Sequence, residues 1–478
     1  MFIITYPVDE EFPKNGLVYL AQLSPKFRQL HGLLQAVCAD SRVQLALWHD
    51  LALASQWAAG KGASALPANV TVCLAVVRRL LSWSYRTVME EVNLSAGWRW
   101  VCQLYLNPMP NFRTIQNREA KLKPATLRLI NGVVVELGES LGVTTGRKLR
   151  LDGSLTETNI HYPIDSNLLD DAARVLSRLG RQARRLVAPH SHTDKGWFRD
   201  RHRQAHHLAR DLARLTRAKA KNTGKSSLKL YGALLTVVET LVAQVAELQP
   251  RLASLNDLAA AGFNAEFDYY LPLVQKVINQ TRQRVLEGLS VPARAKVVSL
   301  FEPHTAIICR GKAKPKETEF GRKIWYGEVD GGLISEYRIL VGNPDEAEFL
   351  IPSLQHHRQL FGKVPKEVSG DRGIHSARNE KEARALGVRR LSLPQPGYKT
   401  NRRRQYEKQA WFRAAQRFRN GIEGRISQLR RARRLDRCLN HGEAGLERWV
   451  GWGVIANNLA TIARFLIKRR RSVPAALC

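Results

Sequence analysis

Arg147-Lys148-Leu149-Arg150-Leu151-Asp152-Gly153-Ser154 alternates basic and apolar residues and then meets a glycine. Alternation with a period of two marks a half-buried strand, so the stretch predicts a short strand with a carboxylate at its tip. Two further acidic residues stand in related settings. Asp371 follows a second strand into a glycine turn, in Glu367-Val368-Ser369-Gly370-Asp371-Arg372-Gly373. Glu423 lies in Arg419-Asn420-Gly421-Ile422-Glu423-Gly424-Arg425, inside a long basic helical stretch. Oxygen ligands on rigid elements suit Mg²⁺, and two strand-borne aspartates with one helical glutamate are what a pair of magnesium ions needs for in-line phosphoryl transfer. Asp152, Asp371 and Glu423 are therefore the expected catalytic and metal-holding set.

The surrounding charge supports a polyanionic partner. The chain has 478 residues and a formal net charge of +33, from 75 Lys+Arg against 42 Asp+Glu. Such an excess over the whole length points to DNA or RNA. Apolar residues make up 44%, enough for a packed core, which excludes disorder as the reason for the charge. No stretch reads as a membrane anchor, since the late apolar segment Trp449 to Ile467 contains Asn457, Asn458 and Arg464 and fits a buried helix. The N-terminus lacks the basic start and apolar core of a signal peptide. The six cysteines show no metal-ligand spacing and read as reduced, buried thiols, which gives a cytoplasmic, nucleoid-associated expectation.

Residues 1–145 read as a mostly helical domain. Ala68 to Leu81 is an apolar helix after Pro67, Ser84 is a plausible N-cap for the next, and Pro108-Met109-Pro110-Asn111 feeds another. Two short helices across a polar turn fit either a helix-turn-helix DNA reader or a helical core module, and spacing alone does not separate these. Residues 167–295 read as a basic helical insertion, with helices over Leu168 to Arg185, Leu228 to Leu255 with a break at Pro250, and Tyr269 to Leu289. This length is too great for a loop without structure of its own.

From Ala295 the period changes. Val297 to Phe301 and Thr305 to Cys309 are strand-like, and Asp330-Gly331-Gly332 between alternating runs predicts a hairpin. A helix from Asn343 to about Leu360, strands at Val364 to Asp371 and Arg389 to Leu393, a helix over Ser376 to Leu386 and a long helix over Arg402 to Arg434 complete the pattern. This order predicts an α/β fold, an RNase H-like mixed sheet flanked by helices, built from residues 146–166 and 296–468, with the insertion inside it and a basic tail at 469–478. Asp152 and Asp371 would then lie on strands able to be neighbours.

Four motifs carry a family resemblance. They are Leu151 to Ser166, Gly311 to Lys323, Ser369 to Ser376 and Arg419 to Arg430. Over most of residues 80–465 the chain resembles the DDE transposases of bacterial insertion sequences, of the ISNCY-like group with its long spacing between the first two aspartates. The helical signature of that family is Tyr, two residues, Arg, three residues, Glu, six residues, Lys. Arg419 and Glu423 fit it, while Gln416 stands at the tyrosine position and Arg430 at the lysine position. Arg430 keeps the charge and changes the geometry.

The resemblance implies Mg²⁺-dependent cleavage and strand transfer, that is, DNA transposition and recombination, at the terminal inverted repeats of an insertion sequence. It implies two Mg²⁺ ions, with Mn²⁺ able to substitute, held by Asp152, Asp371 and Glu423. Arg419 and Arg430 would hold phosphates near the cut, with Lys312, Lys314, Lys323 and Arg372 as further DNA contacts. The implied partners are double-stranded transposon ends and target DNA, bound by a homodimer in a synaptic complex, with no membrane. A transposase-derived DNA-binding protein without cleavage activity is the alternative. A tyrosine or serine recombinase would need an Arg-His-Arg-Tyr set or a nucleophilic serine, and neither stands in a convincing setting.

Other polar residues read more plainly. Glu157 is an odd number of positions from Asp152, so it faces the other side of a continuing strand and reads as structural. His375 suits either a water or phosphate contact or a polar helix start. His190, His192, His202, His206 and His207 suggest zinc, and His202 and His206 share a helical face. With no cysteine or fourth ligand near in sequence, that stretch is expected to be a solvated, phosphate-facing helix.

Overall fold

The computed structural model describes Thr5 and residues 24–53, 66–187, 198–217, 223–309 and 318–472. The chain divides into two compact units, Met1–Glu157 with Arg322–Cys478, and Thr158–Gly321.

The first unit opens with helices α1 (Pro25–Ala39), α2 (Ser41–Trp48), α3 (Ala68–Leu81), α4 (Tyr85–Leu94), α5 (Ala96–Val101), α6 (Phe112–Lys121) and α7 (Pro124–Ser140). Their starts follow capping chemistry: Asp40, Ser84, Ser95 and Asn111 each accept a backbone N–H of the first helical turn through the side chain. Ser84 is thus the cap that its sequence position suggests. Helices α4 and α6 pack together and against α3. Arg78 of α3 meets Glu119 of α6 at 2.7 Å in a buried pair, and the Tyr85 hydroxyl donates to the same carboxylate at 3.0 Å. Arg113, Gln116 and Asn117 of α6 stay exposed.

Strand β1 (Lys148–Glu157) follows α7. The second unit then contributes α8 (Asp165–Val187), α9 (His202–Arg217), α10 (Thr223–Ala253), α11 (Leu258–Thr281) and strand β2 (Ala306–Cys309). Strand β3 (Thr318–Val329) starts in that unit and runs on into the first. After it come β4 (Ile334–Ile339), α12 (Leu350–Phe361), β5 (Glu367–Ser369), α13 (Ala377–Ala385), β6 (Arg390–Ser392), α14 (Asn401–Lys408), α15 (Ala410–Ala432) and α16 (Glu443–Ser472).

The architecture is mixed α/β. The sheet has six strands, with β3 joined to β1, β1 to β5 and β5 to β6, while β2 and β4 pair successive parts of β3. β4 is antiparallel to β3; β5 is parallel to both β1 and β6. The hairpin turn needs its glycines. Gly331 has φ +80°, and a Cβ there would stand 2.0 Å from the Val143 carbonyl oxygen. Asp330 beside it accepts from Thr145 N–H at 2.8 Å and Lys148 N–H at 3.2 Å, tying the turn to the entrance of β1.

Several boundaries differ from the sequence expectation, for local reasons. β1 does not stop at Asp152 but runs to Glu157, whose N–H donates to the Asp436 carbonyl at 2.8 Å. Val297 to Phe301 is not a strand: the Ser299 hydroxyl accepts from Phe301 N–H and Glu302 N–H and turns the chain. α10 passes through Pro250 and ends one turn later at Ala253, Pro250 having no N–H to give the Ala246 carbonyl. The expected helix over 402–434 is two helices meeting at Gln409, where Tyr406, Trp411 and Phe412 cluster. Cys309 is exposed rather than buried, because β2 lies at the end of the sheet order.

The helices of residues 1–145 do not form a compact unit of their own. They share one hydrophobic core with the sheet and with α16, through Leu34, Val70, Leu74, Leu127, Val134, Trp325, Trp452 and Leu459. The second unit is also wider than the expected insertion. Thr158 N–H donates to the Phe320 carbonyl, and the Thr158 and Thr305 hydroxyls meet at 2.8 Å, so its ends close on each other near β2.

Two helices are long and apolar enough to cross a membrane, Gly224–Ala253 and Glu443–Arg470, a test that buried core helices also pass. The second is 72% buried over its apolar window, as expected for a core helix. It accommodates its asparagines by hydrogen bonding. Asn458 accepts from Ile334 N–H at 2.9 Å and donates to the Ile334 carbonyl and to Asn131, and Asn131 donates to the same carbonyl. This network fixes α16 and α7 against the start of β4. Asn458→Ala leaves two buried groups unpartnered and should lower stability by about 2 kcal/mol or more, read as a reduced urea midpoint of the full chain. An unchanged midpoint would show that the network does not hold the core.

Candidate metal centre

The register of β1 on β5 sets the site. Lys148, Leu149 and Arg150 pair with Glu367, Val368 and Ser369. Continuing that register by two residues brings Asp152 level with Asp371, on the same face as Arg150 and Ser369. β5 ends at Ser369, so β1 outlasts it, and the two aspartates sit where the parallel pairing opens. They come together as the sequence suggests, although Asp152 is in the middle of a long strand.

Asp371 caps the short turn Arg372–Ile374, with Oδ1 accepting from Gly373 N–H at 2.9 Å and Ile374 N–H at 3.2 Å. The turn-residue role and a place in the acidic cluster therefore coincide.

The third carboxylate beside them is Glu346, not Glu423. One oxygen from each of Asp152, Glu346 and Asp371 lies within 4.8 Å of the others, a grouping able to hold a metal ion. Glu346 starts the single-turn helix that leads into α12, and it reaches β1 because residue 153 is glycine. A Cβ at Gly153 would stand 2.4 Å from Glu346 Oε1. In sequence, Asp345-Glu346-Ala347-Glu348 reads as the acidic first turn of a helix, and nothing marks Glu346 out. The conjunction of a strand aspartate with an adjacent glycine was the available signal, but it does not say what approaches.

Glu423 lies on α15, its side chain 65% exposed, and connects to the cluster through Arg419. Arg419 donates to Glu423 Oε1 at 2.9 Å and to Asp152 Oδ2 at 3.1 Å. The i,i+4 spacing puts both side chains on one helical face, and that face is turned toward β1. Gln416, one turn earlier, donates to the carbonyls of Gly370 and Ser392, so it clamps α15 onto the ends of β5 and β6.

Below the cluster α15 is docked by a buried ion group. Glu328 of β3 is fully buried; it meets Arg150 at 2.7 Å and Arg425 of α15 at 3.1 Å. Arg150 also donates to the Phe418 carbonyl.

Lys323, expected at a DNA contact, has its Nζ 2.8 Å from Glu346 Oε1 and is largely buried there. Arg372 is exposed beside Asp371. Arg430 is half-buried near the Tyr326 hydroxyl. Lys312 and Lys314 lie outside the described residues. His375 faces Glu380 at 3.5 Å, the polar helix-start contact.

Hard oxygen donors suit Mg²⁺, Mn²⁺ or Ca²⁺ better than softer metals. Three carboxylates here face two cations, Arg419 and Lys323, which leaves negative charge uncompensated. Burial pushes the Asp152 carboxyl up to about 6, Arg419 pulls it down, and Glu346 and Asp371 push it up again. A divalent cation would relieve that burden, so the residues present fit one.

No family model matches the chain, and no curated protein and no solved structure matches it.

The raised carboxyl has a consequence for stability. Its ordinary value is 3.8 and its folded value about 6, so ionisation is penalised in the folded state. The penalty is absent below about pH 4, grows between pH 4 and 6 and is complete above. Asp152→Asn removes it, so without added metal the variant should gain about 2 to 3 kcal/mol at pH 8 and nothing near pH 4. Urea unfolding at the two pH values measures this; an equal effect at both would refute the assigned environment.

Proposed function

We propose that the chain is a DNA transposase that cuts and joins DNA by metal-dependent phosphoryl transfer on an RNase H-like core. The observation that carries this is the level placement of Asp152 and Asp371 on adjacent parallel strands, with Glu346 closing the group. The strand sequence β4-β3-β1-β5-β6, with an acid-bearing helix packed on the same face, supports the core assignment.

Asp152 and Asp371 are the shared ligands in this reading, with Glu346 beside them and Glu423 joined to Asp152 through Arg419. Bound there, Mg²⁺ would supply charge neutralisation and an activated oxygen nucleophile, first water and then a DNA 3′-hydroxyl. The chain's own residues do the positioning. Arg419 holds Asp152 and Glu423 together, and its Nε has no hydrogen-bond partner among the described residues, a donor suited to a phosphate oxygen. Arg372 offers an exposed cation next to Asp371. Gln416 and the Glu328 group fix α15 so that these donors keep their distances. The net charge of +33 supplies sequence-independent attraction to duplex DNA. Two ends cut in concert call for a homodimer, and double-stranded ends and target are the partners.

A second reading has a specific observation behind it. Arg419 already neutralises Asp152 and Lys323 already neutralises Glu346, as in a protein that binds DNA without cutting it.

A labelled duplex carrying the element's terminal repeats, incubated with Mg²⁺ or with EDTA, tests both. Metal-dependent nicks at the repeat ends are expected, lost in Asp152→Ala and Asp371→Ala while binding persists. Glu423→Gln should abolish cutting, and Glu346→Gln should raise the Mg²⁺ requirement about tenfold. Tight binding with no nick in Mg²⁺ or Mn²⁺ would establish the non-cutting protein instead.

A further inference from the structure

The second unit holds a different set of ligands. Helices α8 and α9 pack through a small-residue seam, in which Ala205, Ala209 and Leu212 of α9 are buried with Leu169, Ala173 and Leu176 of α8. Alanines at the crossing let the backbones approach closely. At the edge of that seam three side chains converge. His202 and His206 stand four residues apart on α9, and Asp170 faces them from α8.

The geometry is specific. Asp170 Oδ2 lies 2.9 Å from His206 Nδ1, and Asp170 Oδ1 lies 3.6 Å from His202 Nε2. The two imidazole rings are 5.9 Å apart between centroids. One ligand atom from each residue lies within 4.8 Å of the others. Asp170 Oδ1 is buried and has no hydrogen-bond partner among the described residues. A tetrahedral ion with bonds of about 2.0 to 2.1 Å needs ligand atoms roughly 3.4 Å apart; the two Asp170–His distances of 2.9 and 3.6 Å bracket that spacing, and a ligand atom of each residue lies within 4.8 Å of the others. Their elements are rigid helices, so small side-chain rotations close the rest.

We propose that Asp170, His202 and His206 form a binding site for a zinc-class divalent ion, which clips α9 onto α8. Two imidazole nitrogens and one carboxylate suit Zn²⁺, Co²⁺ or Ni²⁺, whereas the all-oxygen group around Asp152 suits Mg²⁺. The site is of the open kind, with three protein ligands and room for water, because His202 and His206 keep 36% and 51% of their side-chain surface exposed. Without the ion, the His206–Asp170 contact is an ordinary hydrogen bond in which a proton occupies the metal's place. Sequence reading misses the site because its third ligand is 32 residues upstream of His202, on another helix. What the ion adds is a cross-link at the edge of the seam, beyond the hydrophobic contacts and the His206–Asp170 hydrogen bond that join two helices of net positive charge.

The full chain, stripped with a chelator and dialysed, is titrated with Zn²⁺ by calorimetry and with Co²⁺ by visible absorption, and its melting temperature is followed with and without Zn²⁺. The wild type should bind one high-affinity equivalent, show d–d bands of a low-coordinate Co²⁺ site and melt at a higher temperature with Zn²⁺. The double variant His202→Ala with His206→Ala should lose the Co²⁺ bands and the thermal shift, and Asp170→Asn should weaken Zn²⁺ binding about tenfold or more. Asp152→Asn should change none of these, which separates this site from the acidic centre. Circular dichroism of the apo variants, expected to match the wild type, shows that the loss is not unfolding. Equal Zn²⁺ affinity and equal thermal shift in wild type and double variant would overturn the proposal, as would absence of Zn²⁺ binding by the wild type.

Discussion

Glu328 is the residue on which the acidic centre rests. A fully buried carboxylate is costly unless it is paired, and this one is held by Arg150 from β1 and Arg425 from α15. The pairing does more than neutralise a charge. Arg150 also donates from Nη1 to the Phe418 carbonyl, so one guanidinium joins two strands and a helix. Gly421 is what permits this, since a Cβ there would stand 2.3 Å from Arg150 Nη1. The position of α15 on the sheet is thus fixed by charge and by a missing side chain. Arg419 is placed over Asp152 as a consequence, two residues along β1 from Arg150 and on the same face.

The same economy recurs at Gly153. The strand gives up a side chain next to its functional carboxylate, and Glu346 enters the space. Lys323 comes with it and holds the newcomer. Charged residues around the centre therefore form one connected group, in which removal of any member changes the field on Asp152. The raised acidity range of that carboxyl reflects this sum, burial first and neighbours after.

Much of this was legible in the residues. Period-two alternation revealed β1, β3 and β4, and Asp330-Gly331-Gly332 located the hairpin, because backbone geometry leaves few alternatives there. The neighbouring placement of Asp152 and Asp371 was also legible, since each carboxylate stands beside a glycine in or just after a strand-like run. What escaped was long-range. The length of β1 depends on a bond to Asp436, the union of the N-terminal helices with the sheet depends on α16, and Glu346 reaches Asp152 from a single-turn helix whose acidic start looks like any other. Local propensity carries no record of such contacts.

The two ligand groups illustrate why chemistry outlasts pattern as a guide. Both combine side chains distant in sequence, and both were incomplete when read along the chain. Around Asp152 the donors are all carboxylates, crowded by burial and opposed by two fixed cations. Around Asp170 the donors include two imidazoles at the edge of a helix seam. Hard, strongly hydrated ions are held by charge and tolerate exchange, whereas borderline ions are held by directional nitrogen bonds and stiffen what they join. A pair of neighbouring helices that both carry net positive charge, as α8 and α9 do, benefits from the second kind.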